Sequence, residues 1–301
     1  MKWRKKGLIF CPNHESEWMD NSFLQPTPLL MKNSIRIFGG IRDKKGVARI
    51  GYVDVDKNNP SCVIDYSRKP ILDIGKNGMF DDNGVSPTSI VVKNNLLYMY
   101  YSGYSLNVKV RFTVFTGLAI SHDMGNTFER IQEYPITDRA KGEELFRVVH
   151  SVIQHNNVYK FWYGGGNYFL TGKRKTLPVY DIRYMESDAL TSFPQQGQIV
   201  IPIDEGNHRV GRPFVFYENG LFKMFYGYGS ETYPYKLAYA ESTNGIDWKR
   251  KNINFDLSSS GWDSEMMAYP SFLRVNHKAY LFYNGNNYGY DGFGYAELIE
   301  E

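Results

Sequence analysis

The sequence is poor in cysteine and in long hydrophobic runs. Its 301 residues include only two cysteines, Cys11 and Cys62, whose spacing suits neither a metal site nor a disulfide framework. A reducing compartment is the simpler interpretation, so we expect the protein to be cytoplasmic. The apolar stretch after the basic start is too short for a signal peptide. No window approaches the length of apolar residues that a membrane span requires, and we therefore expect none.

The sequence also lacks a strong excess of one charge and the common cofactor motifs. The net charge is only +3, and no run of like charges exceeds KWRKK near the start, so we do not expect nucleic acid as a partner. No Ser-His-Asp order, phosphate-binding glycine loop or zinc spacing is visible, so we expect no cofactor and no metal. Helical periodicity is nearly absent, and the sequence carries no signal for an oligomeric state.

What the sequence does contain is a fivefold repeat rich in aromatic residues, which make up 16% of the chain. Each unit has an apolar run headed by proline or a small residue, a turn with Asn, an aromatic strand and a third strand. Asn and Gly tolerate the positive φ of tight turns, so these turns predict hairpins. The aromatic strands are IRIFGG (35–40), LLYMYYSG (96–103), VYKFWYGG (158–165), LFKMFYGY (221–228) and AYLFYNG (279–285).

Antiparallel strands repeated at roughly 55 to 65 residues predict an all-β fold, a five-bladed β-propeller with one blade per repeat. A tandem array of sandwiches is the alternative, but each unit is too small to be a domain. We therefore predict a single domain over 1–301, with the apolar stretch 6–10 supplying the missing outer strand of the last blade and closing the ring. The predicted blades are 16–70, 78–134, 141–200, 204–256 and 261–301.

The direction of the chain through one blade separates a structural face from a ligand face. The turns after the third strand, SHDMGNTF (121–128) and STNGIDW (242–248), lie on the far face, where Ser with Asp or Asn satisfies the turn amides. We therefore interpret Asp123 and Asp247 as structural. The segments before each inner strand and the loops after each second strand are rich in acids, Arg, Asn and Tyr, which predicts a polar, aromatic-lined depression at the other mouth.

A carboxylate or histidine recurs five residues before the proline-equivalent position in four units, which predicts one such side chain per blade around the pocket. Carboxylates sharing a pocket can divide acid and base roles in glycoside hydrolysis, because burial and repulsion separate their pKa values. We predict Glu144, Glu265 and Asp82 as catalytic candidates; the alternative is that such acids cap loops or pair with arginines. The predicted substrate-binding residues are Gln25, Arg42, Asp43, Asp81, Arg147, His150, His208, Arg212, Trp262, Asn286 and Tyr288. Reserve carboxylates are Asp20, Asp43, Asp81 and Asp263.

Three arginines predict the charge of the ligand. Arg42, Arg147 and Arg212 fall in ligand-face segments of three different units. The planar guanidinium binds two oxygens at once and stays charged when it is desolvated, so these residues favour a carbohydrate ligand with a carboxylate or phosphate. The equally open alternative is that each arginine neutralises a nearby acid.

Several of these segments also carry a family resemblance, which covers nearly the whole chain. RIFGGIRD, FDDNGVSPTSIV, GLAISHDMGNTFER and LAYAESTNGIDW resemble uncharacterised glycosidase-like proteins of bacterial surface-polysaccharide gene clusters. Those proteins are similar to five-bladed propeller glycosidases: arabinanases, invertases, levansucrases and mannoside phosphorylases. The resemblance implies a five-bladed propeller and a carbohydrate ligand. Gln25 stands where arabinanase-type enzymes carry the Asp before the first inner-strand proline, and Arg147 stands where their acid lies.

Two functional hypotheses follow from these observations. The first is a glycoside hydrolase or glycosyl-transferring enzyme that acts on a bacterial polysaccharide or its precursor, with Glu144 and Glu265 as acid and base. The second is a catalytically inactive sugar-binding or scaffold propeller, which the departures at Gln25 and Arg147 favour.

Overall fold

A computed structural model describes residues 1–204 and 206–300. Glu205, in the predicted ligand-face segment 204–212, and Glu301, at the end of the predicted domain, lie outside the described residues. The fold is nearly all-β, and its one short helical turn in the described chain is α1 (Asn286–Gly289). No helix in this part of the chain is long and apolar enough to cross a membrane.

The strands form from the repeated sequence units. The first is β1 (Lys2–Phe10). The strands of the first two repeats are β2 (Asn21–Leu30), β3 (Ser34–Arg42), β4 (Ala48–Asp56), β5 (Val63–Tyr66), β6 (Val85–Lys93), β7 (Leu96–Leu106), β8 (Phe112–Ser121) and β9 (Glu129–Arg130). Those of the last three are β10 (Phe146–His155), β11 (Val158–Thr171), β12 (Thr176–Ser187), β13 (Gln198–Ile201), β14 (Arg209–Glu218), β15 (Leu221–Gly229), β16 (Lys236–Ser242), β17 (Lys249–Lys251), β18 (Ala268–Val275), β19 (Lys278–Asn284) and β20 (Phe293–Glu300).

Within each repeat, neighbouring strands pair antiparallel in chain order. The turns between the first two strands follow the predicted hairpin chemistry: Asn94, Asn156, Asn219 and Asn276 all have positive φ. Asn adopts this left-handed conformation at lower cost than most residues, because its short side chain bonds locally. The turn sequence therefore sets where each pair of strands reverses.

The repeats are joined edge to edge through short contacts. Parallel pairs β8–β10 and β12–β14 link three repeats into one twelve-stranded sheet, while the first and the last repeats form separate four-stranded sheets. The first strands of the repeats contact one another in the order β2, β6, β10, β14, β18 and again β2. These five strands, called the inner strands below, surround the centre of the molecule.

The strand predicted over residues 6–10 is present, and it begins earlier, at Lys2. β1 pairs antiparallel with β20, from Lys2 opposite Glu300 to Phe10 opposite Phe293. Trp3 packs edge-on against Phe225, Phe255 and Phe272. The start and the end of the chain therefore share one sheet, and an aromatic cluster ties that sheet to the preceding repeat.

Candidate functional site

Each inner strand carries a β-bulge near its start, at the same level of the molecule. The register shifts fall at Leu24/Thr27, Pro87/Ser89, Val149/Ser151, Gly211/Phe214 and Ala268/Ser271. A bulge breaks the alternation of side chains and can aim a residue away from the sheet. The result is a ring of redirected residues around the centre.

In three of these bulges the redirected residue is strained. Gln25, Arg212 and Tyr269 have φ of 57°, 54° and 54°, and each directly precedes a proline. A residue before proline favours extended backbone, and a left-handed conformation is costly for a residue other than Gly, Asn or Asp. All three side chains line the same central cavity. Backbone strain of this kind concentrates at functional sites, so it marks the cavity as the candidate site.

The cavity has a volume of about 590 Å³ and is rich in tyrosine and in basic residues. No Asp or Glu of the described residues lines it. The lining therefore carries a net positive charge that no carboxylate of the described lining residues neutralises. The basic residues are Arg42, Arg111, Lys175, Arg209 and Arg212, and the tyrosines are Tyr104, Tyr180, Tyr235, Tyr269 and Tyr288.

Arg212 lies at the meeting point of the inner strands. Its Nη1 donates to the Thr88 carbonyl at 2.7 Å and, more weakly, to the His150 carbonyl at 3.4 Å, and its Nη2 donates to Thr27 Oγ1 at 3.1 Å. The described residues offer it no ion pair, and its buried Nε has no hydrogen-bond partner among them. Burial lowers the pKa of Arg212 to about 10. The side chain is still cationic at neutral pH, so an anionic ligand would supply the missing counter-charge.

The other charged groups of the cavity reinforce this field. Burial and then the charges of Arg111 and Arg209 lower the pKa of Lys175. Burial and Arg212 lower the pKa of His150 well below its usual value, so this imidazole is neutral. Arg42 lines the cavity and makes no hydrogen bond or ion pair through its side chain to the described residues. Repulsion among neighbouring cations is typical of a site built for an anion.

The three predicted catalytic carboxylates lie outside the described lining of this cavity. The exposed Glu144 accepts a hydrogen bond from the Gly142 amide at 3.0 Å, which lowers the pKa of Glu144. Asp82 accepts from the Gly78 amide at 2.9 Å. Glu265 is exposed and lines a neighbouring rim cavity of about 290 Å³ together with Glu231. Arg209, Tyr235, Asn287 and Tyr288 line both cavities.

Buried acids one or two residues before these candidates tie the strands within each repeat together. Asp81, Glu143 and Asp263 each accept a hydrogen bond from the hydroxyl of a tyrosine twenty residues later, at 2.7 to 3.0 Å. Two of these acids pair with an outer strand: Asp81 Oδ2 lies 2.8 Å from Arg130 Nε, and Asp263 Oδ2 lies 2.7 Å from Lys5 Nζ. The spacing of acid and tyrosine was visible in the sequence, and it marks a structural tie. The tyrosines are Tyr101, Tyr163 and Tyr283.

Arg147 belongs to the same kind of tie, and it does not line the cavity. Its Nε lies 2.8 Å from Glu143 Oε2 as an ion pair, although without the alignment of a hydrogen bond. Its guanidinium also donates to the carbonyls of Asp138 and Pro194. We expected three arginines to bind the ligand. The structure brings Arg42 and Arg212 together at the cavity, whereas the Arg147 side chain is buried within its own repeat.

The remaining predicted binding residues divide between lining and support. Gln25, His150 and Tyr288 line the cavity, and the buried Gln25 Oε1 and His150 Nδ1 have no partner among the described residues. The others make structural contacts. Asp43 pairs with Arg49 and accepts hydrogen bonds from turn amides, and Asp81 makes the contacts described above. His208 Nδ1 is hydrogen-bonded to the Pro178 carbonyl. Trp262 stacks on Tyr283, and Asn286 Oδ1 accepts a hydrogen bond from the Glu265 amide.

The sequence missed most of the tyrosines and three of the cations that line the cavity. Arg111 and Lys175 sit on the long β7–β8 and β11–β12 hairpins, and Arg209 begins β14. Their common signal was position in a ligand-face loop, which many other residues share. No group of three or more His, Cys, Asp or Glu that could hold a metal ion occurs in residues 1–204 and 206–300.

The fold is similar to those of solved structures that are described as glycoside hydrolases. It is similar to BT0996 in a complex with RGII, with a TM-score of 0.74 and 17% identity over 99% of this protein and 91% of that one. It is also similar to a protein of the GH130 family of mannoside phosphorylases, which contains glycoside hydrolases that target β-1,2 mannosidic linkages in Candida mannan; the TM-score is 0.68, with 13% identity over 99% of this protein and 93% of that one. At these identities the likeness concerns the fold alone.

Comparison of the amino-acid sequence identifies the family to which the chain belongs. No known family profile matches the chain. It is 32% identical over 302 residues to the uncharacterized protein Rv1502 of Mycobacterium tuberculosis (strain H37Rv), covering 99% of each protein. The chain belongs to the family of that protein.

Proposed function

We propose that the protein is a carbohydrate-active propeller whose central cavity binds an anionic saccharide. The observation that carries this proposal is the cavity lining, which has five basic side chains and no carboxylate among the described residues. Arginine clusters without internal counter-charges suit carboxylate or phosphate groups, because each guanidinium donates two parallel hydrogen bonds. The acidic group of the sugar would complete the electrostatics of the site.

The proposed propeller has five blades in a single domain, closed by β1. Support comes from the five antiparallel strand groups, from the circular order of contacts among the inner strands, and from the pairing of β1 with β20. A carbohydrate fits the aromatic lining, since tyrosine rings present an apolar face to a sugar and a hydroxyl to its polar groups. The fold shared with glycoside hydrolases and phosphorylases points the same way.

Cleavage or transfer of a glycosidic bond is the second candidate function, and one observation favours it. Glu265 and Glu231 line the rim cavity, and Arg209 and Tyr288 line both the rim cavity and the central cavity. A sugar held by its anionic group could then present a neighbouring bond to Glu265 as acid or base. In this candidate Glu144 and Asp82 hold loops rather than react. A Glu265→Gln variant that keeps affinity and loses turnover supports it over binding alone.

The test compares two buried arginines. Calorimetric titration with glucuronate, glucose 1-phosphate and neutral glucose should show tighter binding of the two acidic sugars. Arg212→Met should weaken them by about 1.5 to 3 kcal/mol for each charge-assisted bond lost and leave glucose nearly unaffected. Arg147→Met, the matched control, should lower the free energy of unfolding by about 1 to 3 kcal/mol without changing affinity per folded molecule. It removes one of the two arginines that pair with the buried Glu143, the other being Arg183, and it leaves the Asp138 and Pro194 carbonyls without this donor.

Arg42→Met gives a second variant that removes no hydrogen bond of the described residues, so it keeps the test informative if Arg212→Met folds poorly. It should weaken the acidic sugars selectively. Equal affinity of acidic and neutral sugars, or equal weakening of both by Arg212→Met and Arg42→Met, would contradict the proposal.

A further inference from the structure

Two long hairpins beside the cavity expose apolar side chains at their tips. β7–β8 turns over residues 107–111, and β11–β12 turns over residues 172–175; the tips also include the strand ends 106 and 168–171. At these tips Val108 is 98% exposed, Leu106 66%, Tyr168 50% and Leu170 42%. Scattered exposed apolar residues need no explanation, but four of them on two adjacent tips form a patch. We call residues 106–111 and 168–175 together the hairpin-tip surface.

The same surface is strongly basic. It carries five exposed basic residues, whereas segments 104–113 and 167–176 contain no Asp or Glu. The other residues of the chain include 30 basic and 32 acidic ones, so the positive net charge originates from these two tips. The charge is therefore local. The five residues are Lys109, Arg111, Lys173, Arg174 and Lys175.

The two tips act as one surface because the hairpins pack together. Phe112 and Phe169 lie 5.6 Å apart between ring centroids, and both contact Phe146. Leu106, Arg111 and Lys175 also line the central cavity. The hairpin-tip surface consequently flanks the mouth of the cavity.

We infer that the hairpin-tip surface docks on an anionic lipid membrane and turns the mouth of the cavity toward the headgroups. Apolar side chains enter the boundary between headgroups and acyl chains, while lysine and arginine keep their charges among anionic headgroups. Both kinds of side chain are exposed here: apolar residues alternate with polar or basic ones in LNVKVR, and they precede the basic residues in YFLTGKRK. This inference is independent of what the cavity binds.

A membrane fits this surface better than a soluble polyanion does. A nucleic acid or an acidic polysaccharide would neutralise the basic residues and leave Val108, Leu106 and Leu170 in water. These apolar residues gain only when the partner offers an apolar layer. Val108 is therefore the side chain that separates the two partners.

The experiment is co-sedimentation of the full chain with vesicles. Pure phosphatidylcholine is compared with phosphatidylcholine containing about one third phosphatidylglycerol, because anionic headgroups should be required for binding. Lys173→Gln with Arg174→Gln should weaken binding to the anionic vesicles about 30-fold, since each basic side chain near the surface contributes roughly fivefold. Val108→Ser should weaken it several-fold. None of these three residues lines the cavity, so the acidic-sugar titration serves as an independent check on folding and site integrity.

Matched controls carry the same substitutions elsewhere. Lys249→Gln with Lys251→Gln removes two exposed basic residues from β17, and Val92→Ser changes a 55% exposed valine on β6. Both should bind anionic vesicles like the unaltered protein. No sedimentation with anionic vesicles, or equal weakening by the controls, would overturn the inference. Binding to heparin that depends on Lys173 and Arg174, together with vesicle binding insensitive to Val108→Ser, would assign the surface to a soluble polyanion instead.

Discussion

At the scale of single residues, the cavity is built from conformations that the chain adopts at a cost. Gln25, Arg212 and Tyr269 hold positive φ directly before proline, which disfavours them by about 1 to 2 kcal/mol each relative to glycine. The surroundings enforce them: the Gln25 amide donates to Asn284 Oδ1 at 2.8 Å. Asn284 also donates from Nδ2 to the Phe23 and Gly292 carbonyls. The hydrogen bond with Asn284 therefore stabilises the strained conformation of Gln25 at the cavity.

Gln25→Gly tests whether the strained conformation of Gln25 costs stability and whether its side chain contributes to binding. Glycine relieves the left-handed strain but costs about 0.5 to 1 kcal/mol in backbone entropy, so the free energy of unfolding should stay within about 1 kcal/mol of its original value or rise. Affinity for the acidic sugars should fall, because a cavity-lining amide is lost. Chemical denaturation and calorimetric titration measure the two effects.

The control for this variant is Asn219→Gly, at a residue with φ of 53° in a hairpin turn that does not line the cavity. Because Asn adopts this conformation at low cost, Asn219→Gly should relieve little strain and lower the free energy of unfolding by up to about 1 kcal/mol, with no change in affinity. A Gln25→Gly protein that binds acidic sugars as well as the original would show that the strain at Gln25 has no role in binding.

At the scale of elements, the turn after β8 is a self-contained hydrogen-bonded unit. Asp123 Oδ1 accepts from the amides of Asn126 and Thr127 and from Ser121 Oγ. Partial burial alone would raise the pKa of Asp123, but these hydrogen bonds lower it to about 2. The turn lies at the opposite end of β8 from Phe112, which lines the cavity, so its contacts stabilise the strand end and do not reach the cavity.

Asp123→Asn should therefore destabilise the protein in a pH-dependent way. The pKa of Asp123 is lower in the folded state than its unfolded value of about 3.9, so its contribution to stability is present above pH 4 and is lost as the pH falls toward 2. The variant should lose about 1 kcal/mol at pH 6, and the difference should shrink by pH 3. Denaturation at pH 6, 4 and 3 measures it.

The matched control is Asp247→Asn in the equivalent turn after β16. There Asn244 Oδ1 accepts from the turn amides, and Asp247 receives a hydrogen bond from the Asn244 side chain. This control should change the free energy of unfolding by less than about 0.5 kcal/mol. A pH-independent loss in Asp123→Asn would contradict the assignment of the turn's stability to the ionised carboxylate.

The sequence predicted strands and turns well, because hairpin chemistry is local. Asn at the turns and alternating apolar residues act over a few positions, and β7, β11 and β19 fall where the aromatic runs stand. The orientation of the acidic side chains could not be predicted in this way, because it depends on residues far away in the sequence. Asp82 and Glu144 each follow a buried acid, and which of the two neighbours turns inward depends on a tyrosine twenty residues away. Spacing alone could not choose between adjacent carboxylates.

At the scale of the whole molecule, the chain ends are brought into one sheet. β1 completes the four-stranded sheet of β18, β19 and β20, and Lys5 neutralises the buried Asp263 from across that sheet. The central cavity was likewise beyond sequence reasoning in detail, since Gln25, His150 and Arg212 come from strands far apart in the chain. Only the bulges that recur at one level of each inner strand bring them together.

Deleting residues 1–10 tests the proposed closure of the ring. The truncated chain should unfold at lower temperature and less cooperatively, because it removes Lys5, the ion-pair partner of the buried Asp263, and exposes the edge of β20 and the Phe225 cluster. Calorimetric unfolding measures both. Lys2→Ala, which removes only an exposed contact with Glu300, should unfold like the original protein. A truncated chain with an unchanged transition would contradict closure by β1.

The absence of carboxylates from the described cavity lining also determines what a titration of binding would report. Between pH 5 and 8, the group in that lining most suited to change protonation is His150, and its pKa is held well below the usual range. His150 therefore stays neutral over this interval, and we expect an inflection in affinity to come from the ligand. An inflection near pH 6 would be the second ionisation of a phosphate monoester, whereas a flat profile would be that of a uronate. The pH dependence of affinity would therefore identify the chemical class of the acidic group on the ligand.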